Sequence, residues 1–295
     1  MDRFAWVDAG LKTLGLELDL HHGEIPLFCR PGPKDPITVA ALMSKANDLF
    51  TAPLHDVLSK ARGAVKETEE EAKIPGKWAV DIGTYEGGSL VTFRSVMSEL
   101  PGITRDDFLK LVVDDAFLEV AKLWDQTFVE GKFTHIITKD GRVFENDGKQ
   151  SVEGMPAQDV AKIMRWVFKA DGLSKREIVS VYVTALEDKY VHSWYFPVKG
   201  EMFHKVSHGC VRGRLMVPCL DRGIFGPDGN IVTFEHTGTA SLGGWIPAFV
   251  VGSLGKRKLL DATVSEARHF LRTFEDMRNP SSTVSQIKLK DGTTI

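Results

Sequence analysis

Residues 241–274 read SLGGWIPAFVVGSLGKRKLLDATVSEARHFLRTF, and this stretch decides how the rest of the chain is understood. Val250, Leu254, Leu260, Val264, Ala267, Leu271 and Phe274 recur at helical spacing and predict one long helix with a single apolar stripe. Pro247 fits its first turn, where the missing N–H costs no hydrogen bond. Gly243 and Gly244 stand just before it, and Gly252 and Gly255 weaken its early turns by roughly 0.5–1 kcal/mol each relative to alanine. Such a helix has to cover something, and the sequence before it supplies the surface.

From residue 131 onward the chain is a succession of β-type runs. KFTHIITKDGRVFEND (132–147) predicts a hairpin turning at Asp140-Gly141. VAKIMRWVFK, EIVSVYVTAL, YVHSWYFPV, GCVRGRLMVP and NIVTFEHTGT follow, separated by short polar segments that include CLDRGIFGPDG (219–229). Strands joined by short turns, without helices between them, predict an antiparallel sheet.

The first half is mixed. Residues 21–36 hold four prolines and read as an irregular arm. Asp35 before Pro36 predicts a helix start, and the pattern Val39, Leu42, Met43, Ala46, Leu49, Phe50 continues it. A second helix is predicted over about 55–72, ending in the charged run KETEEEAK, read as a solvated face. GKWAVDIGTYEGGSLVTFRSVMSEL (76–100) predicts two strands around a Gly-Gly turn. TRDDFLKLVVDDAFLEVAKLWD (104–125) predicts an amphipathic helical stretch capped by Thr104.

Composition bounds the function. Of 295 residues, 43% are apolar and 26% charged, as in ordinary globular proteins, and the net charge of −3 gives no drive toward nucleic acid. Three scattered cysteines argue against a disulfide framework and for a reducing compartment. No basic-then-apolar leader and no run of ~20 apolar residues is visible, so a cytoplasmic protein, peripheral at membranes, is expected.

GGWIPAFVVGSL (243–254) leading into a helix resembles the C-terminal signature of START domains, the lipid-transfer domains related to the steroidogenic acute regulatory protein. Three further segments agree in order. Residues 100–126 are similar to the family's helical segment ending in Trp-Asp, here Trp124-Asp125. SKREIVSVY (174–182) resembles its Arg-Asp-Phe-Val strand, with Arg176 matching and Glu177 in place of Asp. GCVRG resembles a later Val-Arg motif at Arg212. The likeness covers roughly residues 40–275. Departures are the GTASL run where many members carry an acid, Tyr182 where a strand arginine often stands, an insertion after the 133–144 hairpin, and only two runs where the first strands belong.

The resemblance implies an α+β helix-grip fold, in which a curved antiparallel β-sheet wraps around a long C-terminal helix and encloses a hydrophobic tunnel for one lipid. On that reading residues 1–34 are an N-terminal extension, 35–278 the START-like lipid-binding domain and 279–295 a C-terminal tail. Carriage has a clear physical motive, because each CH2 removed from water is worth about 0.8 kcal/mol, so a 16-carbon chain resists exposure by roughly 12 kcal/mol.

Alternation along the strand after Arg176 puts Ile178, Ser180, Tyr182 and Thr184 on one face and Val179, Val181 and Val183 on the other. The family pattern turns the first set toward the tunnel, which makes Ser180, Tyr182 and Thr184 candidate ligand contacts. Trp194, Phe234, Val250, Val251 and Leu254 are the expected apolar wall. Leu173, Gly243 and Gly244 are expected to form a gate, beside which Lys256, Arg257 and Lys258 meet membrane headgroups. The expected partners are a phospholipid, sterol, ceramide or other hydrophobic small molecule and, transiently, a membrane surface. No nucleic acid, cofactor or metal is expected.

His204, His208 and Cys210 lack a second ligand pair nearby in sequence, and Asp125, Glu177, Arg212 and Arg214 read as structural pairings. No catalytic order stands out, so the expectation is a carrier and not an enzyme. An enzyme using the same cavity, or a ligand-sensing scaffold, are the alternatives. An acid–base pair projecting into the cavity would favour the enzyme.

Overall fold

The computed structural model of the chain describes residues 3–21, 25, 31–47, 62–67, 77–85, 90–112, 117–124, 127–147, 152, 155–169, 173–241, 270–283 and 285. Helices are α1 (Ala5–Thr13), α2 (Val39–Asn47), α3 (Arg105–Val112) and α4 (Phe117–Trp124), and residues 270–277 are helical near the C-terminus. Strands are β1 (Glu17–Leu18), β2 (Arg62–Glu67), β3 (Lys77–Tyr85), β4 (Leu90–Thr104), β5 (Phe128–Thr138), β6 (Val143–Glu145), β7 (Val160–Phe168), β8 (Lys175–Leu186), β9 (Tyr190–Lys199), β10 (Cys210–Arg212), β11 (Arg214–Phe225) and β12 (Asn230–Ser241).

These strands form one sheet in the order β2-β3-β4-β12-β11-β9-β8-β7-β5-β6, antiparallel along that path, with β1 added to β9 and β10 running parallel to β8. The architecture is the expected α+β sheet with a helix at its end. Both faces of the central strands are covered. The inner face packs with α3, α4 and residues 270–274 around Phe108, Leu118, Tyr182, Tyr195, Phe234, Phe270 and Phe274. The outer face packs with α1 and α2 around Val179, Val181, Val183, Trp194 and Phe196.

Several local readings hold for stated reasons. Thr104 accepts the Asp107 N–H at 3.1 Å and caps α3. Gly141, at φ +90, makes the hairpin turn between β5 and β6. Gly10 lets α1 lie flat on the sheet, since a Cβ there would meet Ile137 at 2.2 Å.

Others are corrected. The helix expected from Asp35, α2, starts at Val39. Thr38 accepts the Ala41 N–H at 3.0 Å, and the Asp8 carboxylate from α1 accepts the N–H groups of Val39 and Ala40 at 2.8 and 3.0 Å. The helix expected over 55–72 gives way at 62–67 to β2, which pairs with β3 and supplies the strand that the sequence lacked. Within 104–125 the described helices are α3 and α4. Residues 219–225, taken for a turn, are the second half of β11, paired on both sides with β9 and β12. Finally, residues in the expected extension 1–34 are integral to the domain, with Phe4, Val7, Leu11, Leu16, Leu20 and Ile25 buried in the outer-face core and β1 bonded to β9.

Candidate functional site

The inner face is marked by polar side chains that water does not reach. Strand β8 contributes Ser180, Tyr182 and Thr184, all buried, between Ile178 and the β7 residues opposite. Tyr182 donates its hydroxyl proton to Ser193 Oγ at 2.9 Å, and Thr184 Oγ1 lies 3.5 Å from the same oxygen. Burial raises the Tyr182 pKa above the ordinary phenol value, and the Asp221 charge adds to the rise against the hydrogen bonds of Ser193 and Thr184. The phenol is therefore neutral at physiological pH.

One strand further, the Tyr195 ring lies tilted against Tyr182, with ring centroids 5.0 Å apart, and its hydroxyl donates to Asp221 Oδ2 at 2.8 Å. The other oxygen of Asp221 meets Nδ1 of His236. Asp221 is opposite both Ser193 and His236 in register, so all these groups share one face. Lys162, buried on β7 opposite Tyr182, holds its ammonium 5.0 Å from the Phe133 ring centre. The row ends at Phe234, which stacks on Phe270 at 4.6 Å and meets Phe108 edge-on at 5.5 Å. Gly223 makes room there, because a Cβ would meet Phe108 at 2.9 Å.

The expected site residues are thus distributed unevenly. Ser180, Tyr182, Thr184 and Phe234 share the inner face. Trp194 does not. It lies in the outer-face core, stacked on Phe196 at 6.0 Å, with its indole N–H donated to His192 at 3.3 Å. In β9 the inner positions are Ser193 and Tyr195, and a tryptophan between them must point the other way. Leu173 is half-buried in the bend before β8, where Ser174 accepts from Arg176 at 2.7 Å through both its carbonyl and its hydroxyl. Gly243, Gly244, Val250, Val251, Leu254, Lys256, Arg257 and Lys258 lie outside the described residues.

Sequence reading missed Tyr195, Asp221, His236, Lys162 and Trp166. His236 was accessible, since it follows Phe234 by two residues and so shares its face. Asp221 was hidden by the reading of 219–229 as a turn. Glu177 is structural, as expected. Burial alone would raise its pKa, but hydrogen bonds from Ser207 and Arg165 and the charge of Arg212 outweigh this and hold it below the usual carboxylate value. Among the described residues no three metal-ligating side chains converge. None of the described helices is long and apolar enough to cross a membrane.

The fold has a solved counterpart. Human STARD10 superposes with a TM-score of 0.53 at 12% identity, over 84% of this chain and 86% of its own. The lipid transfer and protein localization domain of human StarD13 matches at 0.43 and 17% identity, over 75% of this chain and 94% of that one. A STAR-related lipid transfer protein fragment from Xanthomonas axonopodis matches at 0.46 and 15%, over 71% and 99%. No protein-family model and no curated protein matches the sequence. The likeness to STARD10 establishes the START-like fold that the motifs of residues 100–254 pointed to.

Proposed function

We propose that the protein binds one lipid or similar hydrophobic molecule between the inner face of the sheet and the C-terminal helix, and transfers it between membranes. The observation that carries this reading is the buried row Tyr182, Ser193, Thr184, Tyr195 and Asp221 on the inner face, with the half-buried His236 beside it. A core that only holds a fold together has little reason to bury hydroxyls and a carboxylate in a line, because each requires compensation for lost water. A binding wall does, since it has to fix the polar end of an otherwise apolar guest. The START-like fold supports the reading at the level of architecture. The ligand contacts are Ser180, Tyr182, Thr184 and Phe234, with the wall completed by the C-terminal helix, described over 270–277. Access is past Leu173 and the Gly243-Gly244 hinge, with Lys256, Arg257 and Lys258 meeting a membrane surface.

The test is to purify the protein from cells, extract it with organic solvent and identify bound lipids by mass spectrometry. The purified protein is then assayed for transfer of fluorescent lipids between vesicles. A near-stoichiometric lipid and accelerated transfer are expected. Protein that is lipid-free on purification and inert toward all vesicle lipids refutes the carrier.

The Asp221–His236 pair is the kind of acid–base couple that an enzyme in the same cavity would need, and it favours that second reading. Each of its carboxylate oxygens is already engaged, one by Tyr195 and one by His236, which suits a positioning role better than turnover. Chemically altered ligand after incubation would decide for the enzyme.

A further inference from the structure

Basic side chains gather at one end of the outer face, away from the polar row of the inner one. β5, β7, β8 and β10 meet there. Lys132 on β5 lies opposite Arg165 on β7, Arg165 lies opposite Val179 of the outer-face core, and Arg212 on β10 lies opposite Glu177 on β8. Lys175 precedes Glu177 by two residues and shares its face. Lys205 sits between two anchors of the segment that follows β9. On one side of it the Phe203 carbonyl accepts from Arg212 at 2.6 Å, and on the other the Ser207 N–H donates to Glu177 at 3.1 Å.

Glu177 fixes the centre of this row. Arg165 Nε donates to its Oε2 at 2.8 Å, and Arg212 Nη1 lies 3.0 Å from its Oε1, so one carboxylate holds a guanidinium at each oxygen. The carboxylate is only 1% exposed, whereas Arg165 and Arg212 keep 26% and 29% of their side chains in water. Lys132, Lys175 and Lys205 are exposed. Among the described residues the acids beside the row are Glu177, the exposed Glu201, and the exposed Glu130 at 3.5 Å from Arg165. Positive charge is therefore in excess here and is directed outward, on a chain whose net charge is −3.

Two apolar side chains flank the row. Leu173 stands two residues before Lys175. Met202, 45% exposed, lies just beyond the end of β9 at Lys199, and β9 is antiparallel to β8, so it emerges at the end where β8 begins. A soluble anion would answer the charges and leave Met202 in water. A lipid surface answers both, since headgroup phosphates and carboxylates meet the cations while short apolar side chains enter the interface.

Resting on the carrier reading above, which requires the protein to dwell at a membrane, we infer that this end of the outer face docks on an anionic lipid surface. Lys132, Arg165, Lys175, Lys205 and Arg212 meet the headgroups, and Leu173 and Met202 enter between them. The two arginines are already held by Glu177, so little side-chain freedom is lost on docking. Glu130 is the acid that opposes it.

The test is co-sedimentation of the full chain with vesicles of phosphatidylcholine alone or of phosphatidylcholine mixed with phosphatidylserine. The proteins are the wild type, a triple variant Lys132→Ala, Lys175→Ala, Lys205→Ala, and Glu130→Gln. The three lysines are exposed, so the triple variant should melt with the wild type. Binding is expected on the mixed vesicles, weak on phosphatidylcholine alone and falling as salt screens the charges. Each lysine lost should weaken binding about fivefold, and Glu130→Gln should strengthen it by a similar factor. Equal binding to the two kinds of vesicle, a triple variant that binds like the wild type, or no gain in Glu130→Gln overturns the docking face. Pyrophosphate that raises the melting temperature, with vesicles leaving the protein in the supernatant, makes the row a site for a soluble phosphate and overturns it as well. Lipid extracted from the same preparations reports separately on the carrier reading, which stands if a bound lipid is found and falls if none is.

Discussion

Tyr182 and Ser193 are joined by a hydrogen bond of 2.9 Å between neighbouring strands, and both side chains are buried. The bond commits the phenolic proton to the protein. Tyr182→Phe should therefore lower the unfolding free energy by about 1 kcal/mol, read from urea denaturation. Lipid uptake should fall less than in Ser180→Ala, whose hydroxyl has no hydrogen-bond partner among the described residues. A Tyr182→Phe protein as stable as the wild type but unable to take up lipid would reassign the hydroxyl to the ligand.

Asp221 is the hub of the second polar group, accepting from Tyr195 and facing His236. Asp221→Ala strands both partners inside the domain. A loss of about 2–3 kcal/mol is expected, in the range for hydrogen bonds to a charged group. Asp221→Asn retains an acceptor for Tyr195 and should lose less. Equal losses in the two variants would mean that the charge, and not the hydrogen bonding, is what matters.

How much of this was legible follows from a few residues. Strands β7, β8, β9 and β12 announce themselves as β-type runs between turns. Their faces do not, because α1 and α2 cover one side and the 270–277 helix the other, so apolarity no longer separates inside from outside. Trp194 was misplaced for that reason. On these strands the buried hydroxyls mark the inner face better than the large apolar residues. The 219–225 half of β11 was lost because Asp221-Arg222-Gly223 resembles a turn. In the fold Asp221 is bonded to Tyr195 and His236, Arg222 to Glu235 at 2.8 Å, and Gly223 is needed under Phe108. Each exception to strand propensity is answered by a partner distant in sequence, which no local pattern reveals. Likewise β2 carries too much charge to read as a strand, and only pairing with β3 fixes it.

His192 gives a pH signature. It is buried on the outer face, and desolvation, with the charges of Arg222 and Arg3, pushes its pKa down to about 3. Above the ordinary histidine value near 6.5 both folded and unfolded chains are neutral there, and the residue has no effect on stability. As pH falls from about 6.5 toward about 3, the unfolded chain gains a proton that the folded one refuses, and stability drops by up to about 1.4 kcal/mol per pH unit. His192→Asn keeps an acceptor for Trp194 and removes the titration. Between pH 7 and pH 5 the wild type should lose roughly 1–2 kcal/mol more than this variant. Parallel losses would show that His192 is protonated in the folded state.

The N-terminal segment is structural. Burial of Phe4, Val7, Leu11, Leu16 and Leu20 is worth up to roughly 10 kcal/mol together, comparable with the net stability of a whole domain. A chain beginning at Asp35 should expose the outer face of β7, β8 and β9 and fail to unfold cooperatively, with loss of near-ultraviolet circular dichroism and aggregation on gel filtration. A monomeric, cooperatively unfolding product would restore a domain boundary at residue 34.

The last expectation concerns access. Leu173 is an apolar residue at the edge of the β7–β8 loop, and the bonds from Arg176 to Ser174 anchor the chain just behind it. If Leu173 enters the membrane interface during transfer, Leu173→Asp removes about 1.5–3 kcal/mol of apolar burial in the membrane-bound state and adds a charge repelled by anionic headgroups. None of that loss falls on the closed, lipid-loaded protein. Vesicle-to-vesicle transfer should slow by about tenfold or more, while the equilibrium amount of bound lipid changes less than about twofold. The slowing should be greater with anionic than with neutral vesicles. Equal weakening of transfer and binding would place Leu173 in the cavity wall, and normal transfer would put the access route elsewhere on the domain.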